Sequence, residues 1–452
     1  MNIIHRIFEA GVVGCGGAGF PTHVKLGGDG IAHLIINGAE CEPLLRTDRF
    51  IMKHRAKELV LAAQMTFAAI GARRCTIALK EGYTQEIAAL EDAIAQTGAA
   101  VTLHKMEGFY PAGDEQVMVQ QVTGRVVPPA GIPLDVGAVV VNVATILAIG
   151  QAAQGKPLTH KYLTVTGEVA NPTVVYVPVG TSFADCIALA GGAVIQDYMV
   201  VSGGPMMGLP LDREEAKNTP VTKTTSGILV LPDSGYLAVQ DKIPLTHMFN
   251  RARSACIQCR YCTDLCPRYL LGHPLEPHMI MRKTAMGGDI RQLLDDPDIR
   301  RAALCCECGV CEIIACPMEL QPRRVNVTIK QALAQAGIRY PKSEEPGAPR
   351  SHWQYRKIPA GRAAARAGVL PYYDCIIDTL IEHTPALVRI PLQQHIGAPA
   401  QPVVQTGDRV TPGQLIARCP EGKLGANIHT GIGGRVAQVG QEIVIESESR
   451  CL

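Results

Sequence analysis

The sequence of 452 residues predicts a multidomain α/β protein. Three patterns support this. Strands alternate with helices in the first third of the chain, two tandem cysteine motifs lie among helical segments further on, and short strands with turn signals close the sequence. The net charge of +2 and the aromatic content of 4% do not favour nucleic-acid binding. No apolar run of roughly eighteen residues and no signal-peptide pattern is present, so we expect neither a membrane span nor a cleaved leader.

Residues 1–155 are predicted to form the first α/β domain. The segments IAHLIINGAE and CTIALKEG are short apolar runs typical of buried strands, and AKELVLAAQMTFAAIGA between them has helical periodicity and a glycine stop. TQEIAALEDAIAQTGA predicts a second helix, and VGAVVVNVATILAIGQAAQG predicts a buried strand that runs into a helix. This alternation predicts a mainly parallel sheet with both faces covered.

The character of the chain then changes three times. Residues 158–240 contain a hairpin-like pair of strands and a helix that begins near Thr181. Residues 245–340 hold the cysteine motifs among helical segments. Residues 341–385, rich in Pro, Arg and Ala, are interpreted as a linker. Residues 386–452 predict a small all-β module.

The two cysteine motifs carry the strongest chemical signal. They are Cys256-x2-Cys259-x2-Cys262-x3-Cys266-Pro267 and Cys305-x2-Cys308-x2-Cys311-x4-Cys316-Pro317. Eight thiolates at this spacing are what two [4Fe–4S] clusters require, and in two-cluster ferredoxins the last cysteine of each motif ligates the other cluster. We therefore assign Cys256, Cys259, Cys262 and Cys316 to one cluster, and Cys305, Cys308, Cys311 and Cys266 to the other.

Structural zinc is the alternative for these motifs. Zinc sites usually present two separated Cys-x2-Cys pairs rather than runs of three with a trailing Cys-Pro, so the pattern favours iron–sulfur. The extra residue before Cys316 departs from the first motif, and Cys306 is interpreted as a spare thiol. Eight cysteines lie outside the ligand set and are expected to be free, as in a reducing compartment: Cys15, Cys41, Cys75, Cys186, Cys306, Cys375, Cys419 and Cys451.

A glycine-rich loop near the start is the second signal. Gly14-Cys15-Gly16-Gly17-Ala18-Gly19-Phe20-Pro21-Thr22 places four glycines in six residues, with Lys25 shortly after. Such a loop lets a ligand approach the backbone closely, and the lysine adds charge beside a phosphate. An ordinary turn is the alternative, because almost no chain precedes the loop and it lacks the usual G-x-G-x-x-G context.

Four segments together resemble the FMN- and NADH-binding subunit of respiratory complex I, and more closely the C subunit of the Rnf electron-transport complex. They are GGAGFPTHVK, NGAECEP, YPAGDE and VNVAT. The resemblance implies that FMN is held by Gly14, Gly16, Gly17, Lys25, Asn37, Glu40, Tyr110, Gly113, Asn142 and Thr145. It implies that Phe20, Glu42 and Glu115 face NADH. Two departures stand out: Cys15 replaces an arginine common in complex I, and Ala39 replaces an aspartate.

The resemblance extends over nearly the whole chain. It implies a Rossmann-like flavin domain, a soluble-ligand-binding β-grasp domain at LTVTGEV to VPVGTSFADCI, an α-helical two-cluster ferredoxin domain and a C-terminal barrel-sandwich (lipoyl-like) β module. In the Rnf protein this module precedes the flavin domain, whereas here it comes last. The present order resembles that of the cobalamin reductases of bacterial propanediol-utilisation microcompartments.

The function that this resemblance implies is NADH oxidation coupled to cobalamin reduction, from cob(III)alamin to cob(II)alamin and onward, which recycles the coenzyme of a diol dehydratase. The expected partners are a corrinoid adenosyltransferase and microcompartment shell or lumen proteins, in the cytoplasm. No side-chain constellation of a catalytic type is evident, so the chemistry is assigned to the cofactors. Two alternatives remain: an Rnf-type protein passing electrons between ferredoxin and NAD in a membrane ion-pumping complex, and a non-catalytic scaffold with structural clusters.

Overall fold

The computed structural model describes residues 2–286, 289–345 and 347–448, so the predicted free Cys451 lies outside the described residues. The other fifteen cysteines are all unpaired. Across these three ranges, no helix combines the length and the apolar character needed to cross a bilayer.

The first domain is built on a parallel sheet of four strands that is covered by helices. The strands are β1 (His33–Asn37), β2 (Arg74–Lys80), β3 (Thr102–Met106) and β5 (Ala138–Asn142), while the short β4 (Phe109–Tyr110) lies outside this sheet. The helices are α1 (Ile3–Glu9), α2 (Thr22–Leu26), α3 (Thr47–His54), α4 (Ala56–Ala69), α5 (Thr84–Thr97), α6 (Glu115–Thr123) and α7 (Val143–Ala153), with a 3-10 turn at Pro133–Val136. The predicted alternation and parallel sheet are confirmed.

The strand order in this sheet is β3-β2-β1-β5. The central strand β1 and the edge strand β5 are almost entirely apolar and largely buried, as expected where helices cover both faces. Successive strands run outward from β1 to β3, and the chain then returns to the other side of β1 to form β5. The carboxyl ends of β1 and β5 therefore lie at the point where the order of the strands reverses.

The second domain has a mixed sheet of six strands in the order β12-β7-β6-β10-β8-β9. Its members are β6 (His160–Gly167), β7 (Thr173–Pro178), β8 (Tyr198–Ser202), β9 (Leu209–Leu211), β10 (Gly227–Pro232) and β12 (Leu380–Glu382). Its helices are α8 (Phe183–Leu189), α9 (Arg213–Asn218) and α10 (Tyr236–Asp241). The hairpin of β6 and β7 and the following helix are as predicted, and the Ser182 hydroxyl accepts a hydrogen bond from the Asp185 N–H at the helix start (3.0 Å).

The cysteine motifs lie in a helical domain, also as predicted. Its helices are α11 (Leu245–Ala255), α12 (Tyr261–Asp264), α13 (Pro267–Leu270), α14 (Pro277–Met286), α15 (Pro297–Arg300) and α16 (Pro322–Gln335). Two 3-10 turns, Ile290–Leu293 and Arg301–Leu304, and a π-helical turn, Val310–Ile314, complete it. Apolar residues of α11, α14 and α16 form its core.

Residues 341–385, interpreted from the sequence as a linker, form short elements of secondary structure that pack against other domains. This segment contains 3-10 turns at Trp353–Tyr355 and Leu370–Tyr372, the strand β11 (Ile358–Pro359) and the helix α17 (Ala360–Arg366). β11 pairs with β4 of the first domain, and β12 extends the sheet of the second domain beside β7. Alanines of α17 are fully buried, because their small side chains allow close packing in a core shared with the second cysteine loop. The segment therefore fastens domains together.

The C-terminal module is all-β, as predicted. Its strands are β13 (Leu387–Pro391), β14 (Gln401–Pro402), β15 (Arg409–Val410), β16 (Leu415–Arg418), β17 (Ile428–His429), β18 (Gly434–Val439) and β19 (Glu442–Glu446). They form one sheet in the order β13-β19-β18-β15 and another in the order β14-β16-β17. Alternate apolar residues from both sheets enclose a small core.

A buried lysine joins this module to the first two domains. The Lys223 ammonium donates hydrogen bonds to the carbonyls of Gly11 (2.7 Å) and Asn427 (2.6 Å), and its backbone N–H donates to the Gln394 side chain (3.1 Å). Burial lowers the pKa of Lys223 to about 7. The module also reaches the glycine loop, because the Ile396 N–H donates to the Gly19 carbonyl at 3.3 Å.

Candidate redox site

A cavity of about 220 Å³ lies at the strand-order reversal of the first domain. Asn37 and Asn142 are the last residues of β1 and β5, and they pair directly in the register of the two strands. In open α/β sheets, ligands bind outside the carboxyl ends of the strands at such a point. Surface clefts elsewhere are larger, at about 540 and 610 Å³. This cavity is singled out because polar side chains from several elements converge on it.

The cavity wall combines residues from three domains. The first domain contributes Cys15, Gly16, Asn37, Glu40, Cys41, Glu42, Leu45, Thr47, Asp48, Pro111, Gly113, Asp114, Asn142 and Ala144. The second contributes Lys161, Tyr162, Met207 and Ser226, and the cysteine domain contributes Cys306 and Cys308. Six of the predicted flavin and nicotinamide residues are thus brought together: Gly16, Asn37, Glu40, Glu42, Gly113 and Asn142.

The glycine loop is fixed over the start of α7. The Cys15 N–H donates to the Thr145 hydroxyl at 2.9 Å, and the buried Lys161 ammonium donates to the Cys15 carbonyl at 2.9 Å. The Gly14 N–H closes the loop by donating to the Phe20 carbonyl at 3.0 Å. Thr145 therefore anchors the loop rather than lining the cavity, and Lys161 holds it from the second domain.

Glycine is required at two positions of the wall for steric reasons. A Cβ atom on Gly16 would lie 2.7 Å from the Asn142 Nδ2 atom, and one on Gly113 would lie 2.9 Å from the Cys41 sulfur. Gly17 differs, because a Cβ there would meet no described heavy atom within 4 Å. The left-handed residue of the loop is Gly19, with φ of 72°. No contact within the described residues therefore requires glycine at position 17.

Two carboxyl groups and an amide form a network beside the loop. The Glu40 carboxylate accepts hydrogen bonds from the backbone N–H groups of Asp48 (2.8 Å) and Arg49 (3.2 Å) at the start of α3. The Asn142 side chain donates to Asp48 (2.7 Å) and accepts from the Ala144 N–H (2.8 Å), which caps α7. Burial and the charge of Glu40 raise the pKa of Asp48 to about 8. The pair therefore binds a proton more readily than two separate solvated carboxyl groups would.

Glu42 offers an unused acceptor to the cavity. One oxygen of its carboxyl group accepts from the Met206 N–H at 2.9 Å, while the other, Oε1, is buried without a hydrogen-bond partner among the described residues. Burial raises the pKa of Glu42 to about 7. The Met206 carbonyl in turn accepts from Arg323 at 2.8 Å. Since buried polar atoms are normally satisfied, the orphaned oxygen fits a site that is completed by a ligand.

Several predicted site residues do not line the cavity. The Tyr110 hydroxyl donates to the Cys308 carbonyl at 2.6 Å, so it is already used in a contact with the cysteine domain. Lys25 and Glu115, predicted to face different ligands, form an ion pair with each other at 2.5 Å. The remaining predicted residues that do not line the cavity are Gly14, Gly17 and Phe20.

The predicted cysteines gather into two sets. The outer set is Cys256, Cys259, Cys262 and Cys316, and the inner set is Cys266, Cys305, Cys308 and Cys311. Burial raises the pKa of Cys262 to about 12, with further contributions from the other three outer cysteines. Burial likewise raises the pKa of Cys311, and Glu312, Cys305 and Cys266 add to it. Cys316 of the second motif thus affects Cys262 and Cys266 of the first motif affects Cys311, and the crossed ligand assignment made from the sequence stays a prediction.

The two cysteine loops have the same backbone shape. Gln258 and Arg260 of the first motif have φ of 54° and 68°, and Glu307 and Gly309 of the second have 62° and 78°. Left-handed conformations cost about 1–2 kcal/mol for residues other than glycine, so their repetition indicates a shared requirement. The π-helical turn Val310–Ile314 absorbs the one extra residue of the second motif, because a π turn accommodates a single insertion.

The end of the first cysteine motif is fastened to the first domain by a buried ion pair. Arg268 donates two hydrogen bonds to Asp114, at 2.6 and 2.9 Å, and Asp114 also caps α6. The Arg268 guanidinium holds the pKa of Asp114 below its usual value, although burial opposes this effect. Among the described residues, no group of three or more His, Cys, Asp or Glu side chains is placed to hold one metal ion.

Family models match four parts of the chain. They are the Nuo51 FMN-binding domain at residues 7–151, the SLBB domain at 162–210, the 4Fe-4S dicluster domain at 255–321 and the RnfC barrel sandwich hybrid domain at 377–451. Most of the residues that line the cavity, the cysteine sets and most of the terminal module thus fall within the matched regions. The chain is a multidomain α/β protein assembled from these four domain types.

Two relatives match over nearly the full length. The cobalamin reductase PduS of Salmonella typhimurium is 41% identical over 98% of this chain and 96% of its own, and that of Citrobacter freundii is 40% identical with the same coverage. The chain belongs to the cobalamin reductase PduS family. A component of the Na(+)-translocating ferredoxin:NAD(+) oxidoreductase complex of Acetobacterium woodii is 35% identical over 58% of this chain and 57% of its own.

Four residues of the cavity carry no signal that a single sequence reveals. Asp48, Lys161, Cys306 and Ser226 lie in separate segments, and only the fold brings them together. Asp48 follows the recognised NGAECEP segment closely in the sequence, which is the one clue that points to it.

Proposed function

We propose that this protein is an oxidoreductase that takes electrons from NADH through FMN and two [4Fe–4S] clusters and delivers them to cobalamin. FMN supplies the property that side chains lack, since it accepts two electrons as a hydride and releases them singly. The observation that carries the proposal is the shared wall of the cavity: strand ends typical of nucleotide binding lie on one side, and Cys306 and Cys308 lie on another.

The residues present fit a flavin. Gly16 and Gly113 let the side chains of Asn142 and Cys41 pack closely against the backbone of the cavity wall. The unpartnered Glu42 oxygen can accept a hydrogen bond from a bound ligand. We assign FMN binding to Gly16, Asn37, Glu40, Gly113 and Asn142, with Gly14, Gly17, Lys25, Tyr110 and Thr145 as supporting residues of the same site. We assign Phe20, Glu42 and Glu115 to the nicotinamide side.

The residues also fit two iron–sulfur clusters. Each loop offers three cysteines on a backbone with repeated left-handed turns, and the fourth cysteine comes from the other motif. Backbone and side-chain donors reach the sulfurs, as is usual at such sites: the Gln258 side chain reaches Cys256 at 3.1 Å, and the Leu320 N–H reaches Cys316 at 3.3 Å. We therefore assign the outer and inner sets as the two ligand sets.

The acceptor is assigned from the family. The PduS relatives span 98% of the chain, whereas the Rnf-type relative spans 58%, so the full-length match supports cobalamin over an ion-pumping partner. The balanced reaction is NADH with two cob(III)alamin to give NAD⁺, H⁺ and two cob(II)alamin, and each cobalt gains one electron. We further propose a corrinoid adenosyltransferase as the partner that consumes reduced cobalamin. We place the protein in the cytoplasm inside a bacterial microcompartment, beside its shell or lumen proteins.

The test is anaerobic reconstitution followed by NADH and aquacobalamin, with the cobalamin spectrum recorded over time. Unbound FMN must be removed first, because free reduced flavin also reduces cob(III)alamin. We expect about eight iron and eight sulfide per chain, since the eight motif cysteines can bind two clusters, each with four iron and four sulfide. Cys259→Ser should lower iron to about four per chain, while Cys375→Ser, a control outside the motifs, should not. Bound zinc, absent flavin or no activity above the free-flavin background would contradict the proposal.

A further inference from the structure

The two cysteine sets lie in different surroundings. In the inner set Cys266, Cys308 and Cys311 are buried and Cys305 is partly exposed, whereas in the outer set Cys316 alone is buried and Cys259 is exposed to solvent. The sequence motifs are nearly equal in spacing, so this difference comes from how each loop is packed and not from its own pattern. The inner cysteine set is therefore the more buried of the two, and the outer set is the one that reaches solvent.

The inner set borders the flavin cavity. Cys306 and Cys308 form part of the cavity wall, and the Cys308 carbonyl accepts a hydrogen bond from Tyr110 at 2.6 Å. Arg268, two residues after Cys266, is bonded to Asp114, which also lines the cavity. The inner loop is thus held against the flavin domain at several points.

The outer set reaches the surface through the loop of residues 257–261. Ile257 and Tyr261 are 63% and 52% exposed, although both are large apolar residues, and they flank the exposed Cys259. Single exposed apolar side chains are common, but here two of them lie within two residues of an exposed candidate ligand in the sequence. The Gln258 side chain donates to the Cys256 sulfur, so it holds this loop on the outer set.

The charge of this loop is balanced. Its one charged residue, Arg260, lies 3.9 Å from both Asp264 and Glu276. Small electron-carrier proteins are usually recognised by patches of one charge sign, which steer the encounter. A neutral apolar surface with an amide suits a flat, largely apolar ring that carries amide side chains, and the corrin of cobalamin has this chemistry.

We infer that residues 257–261 are the surface on which cobalamin docks, and that the inner set is the one that faces the flavin. This rests on the proposed function, because it takes cobalamin as the acceptor. The electron count is that given above, with one electron leaving to each cobalt. The inference sets the order of electron transfer. Electrons pass from the flavin cavity to the inner cysteine set, then to the outer cysteine set, and then to cobalamin at the docking loop.

The docking surface is tested by binding and not by turnover. Ile257→Ser/Tyr261→Ser is compared with Ile376→Ser/Tyr355→Ser, a control pair of the same residue types that are 89% and 77% exposed. Equilibrium dialysis of holoprotein against aquacobalamin, without NADH, gives the Kd. We expect about tenfold weaker binding or more for the first variant, since loss of buried apolar contact by even one side chain is worth about this factor. Unchanged binding of cobalamin, or an equal loss of binding in the control pair, overturns the assignment. A loop that binds a partner protein instead of cobalamin would give one of these results.

The direction is tested by electron paramagnetic resonance of Cys259→Ser, whose iron content shows that one centre is lost and whose substituted ligand belongs to the outer set. We expect NADH to reduce the remaining centre, because the inner set adjoins the flavin. If dithionite reduces that centre and NADH does not, the order is wrong. Both measurements are independent of cobalamin turnover. Wild-type protein that binds cobalamin at this loop but does not reduce it with NADH would refute the proposed function and leave the docking site standing.

Discussion

Replacing Gly16 by alanine should weaken FMN binding through a single side chain. The new methyl group would lie 2.7 Å from the Asn142 Nδ2 atom and 2.8 Å from its Cγ atom, which is closer than real contacts allow. Asn142 cannot yield freely, because it accepts from the Ala144 N–H (2.8 Å) and donates to Asp48 (2.7 Å). Moving it breaks both hydrogen bonds at the end of β5, where the ligand is expected.

The magnitude follows from these two bonds. Each contributes about 0.5–1.5 kcal/mol net, so restoring Asn142 to its place for binding costs about 1–3 kcal/mol in the variant. This corresponds to a Kd for FMN that is about 5-fold to 150-fold higher. The apoprotein is titrated with FMN and the quenching of flavin fluorescence is recorded.

Two other glycines provide the controls. Gly82→Ala meets no described heavy atom within 4 Å and needs no left-handed backbone, so it should leave the Kd unchanged. Gly17→Ala is equally free of protein contacts, so any loss of affinity there measures how closely the ligand itself approaches the loop. A Kd for Gly16→Ala within twofold of wild type would refute the reasoning and show that Asn142 is not part of the flavin site.

Three further predictions concern stability, each measured by urea unfolding of anaerobic protein. Folding raises the pKa of Asp48 from 3.8 to about 8, so the protonated Asp48 contributes to the free energy of unfolding fully at low pH, and this contribution is lost as the pH rises, by up to about 1.4 kcal/mol per pH unit. Asp48→Asn should lack this pH dependence between pH 5 and 7. Parallel plots of stability against pH for the variant and the wild type would contradict the prediction. Arg268→Met should cost about 3–5 kcal/mol by leaving Asp114 buried and unpaired, and adding Asp114→Leu should recover most of this loss if the ion pair is the cause. Tyr110→Phe should cost about 1–3 kcal/mol, because the buried Cys308 carbonyl loses its donor, and a stability equal to wild type would show that this bond is replaced.

The first domain could be predicted because its signals are local. Strands β1, β2 and β5 are apolar runs, and helices α4, α5 and α7 have clear periodicity. Strand β3 was not identified, because as an edge strand it mixes charged, polar and apolar residues that are partly exposed. A strand whose side chains are partly exposed shows a weaker hydrophobic pattern than a strand that is buried on both faces.

Residues 341–385 could not be predicted because their partners lie in other domains. β11 and β12 are two and three residues long, and each exists only as an addition to a strand far away in sequence. The same limit applies to the redox site. The cysteine ligand sets could be written down from spacing, but the contact of Tyr110 with Cys308 and the place of Asp48 beside Asn142 are products of the tertiary fold.

The contacts that hold the C-terminal module have a consequence for how the order of the domains can change among such proteins. The module is held by Lys223, by the bond of Ile396 to Gly19 and by the contact of Asn427 near Gly11, so its place depends on a surface and not on the peptide that leads to it. A gene rearrangement that carries these strands to the other end of the coding sequence can therefore preserve the assembled molecule, provided that the new tether reaches the same seat. Domain order in the chain is then free to vary among relatives while the cavity and the cysteine loops keep their arrangement.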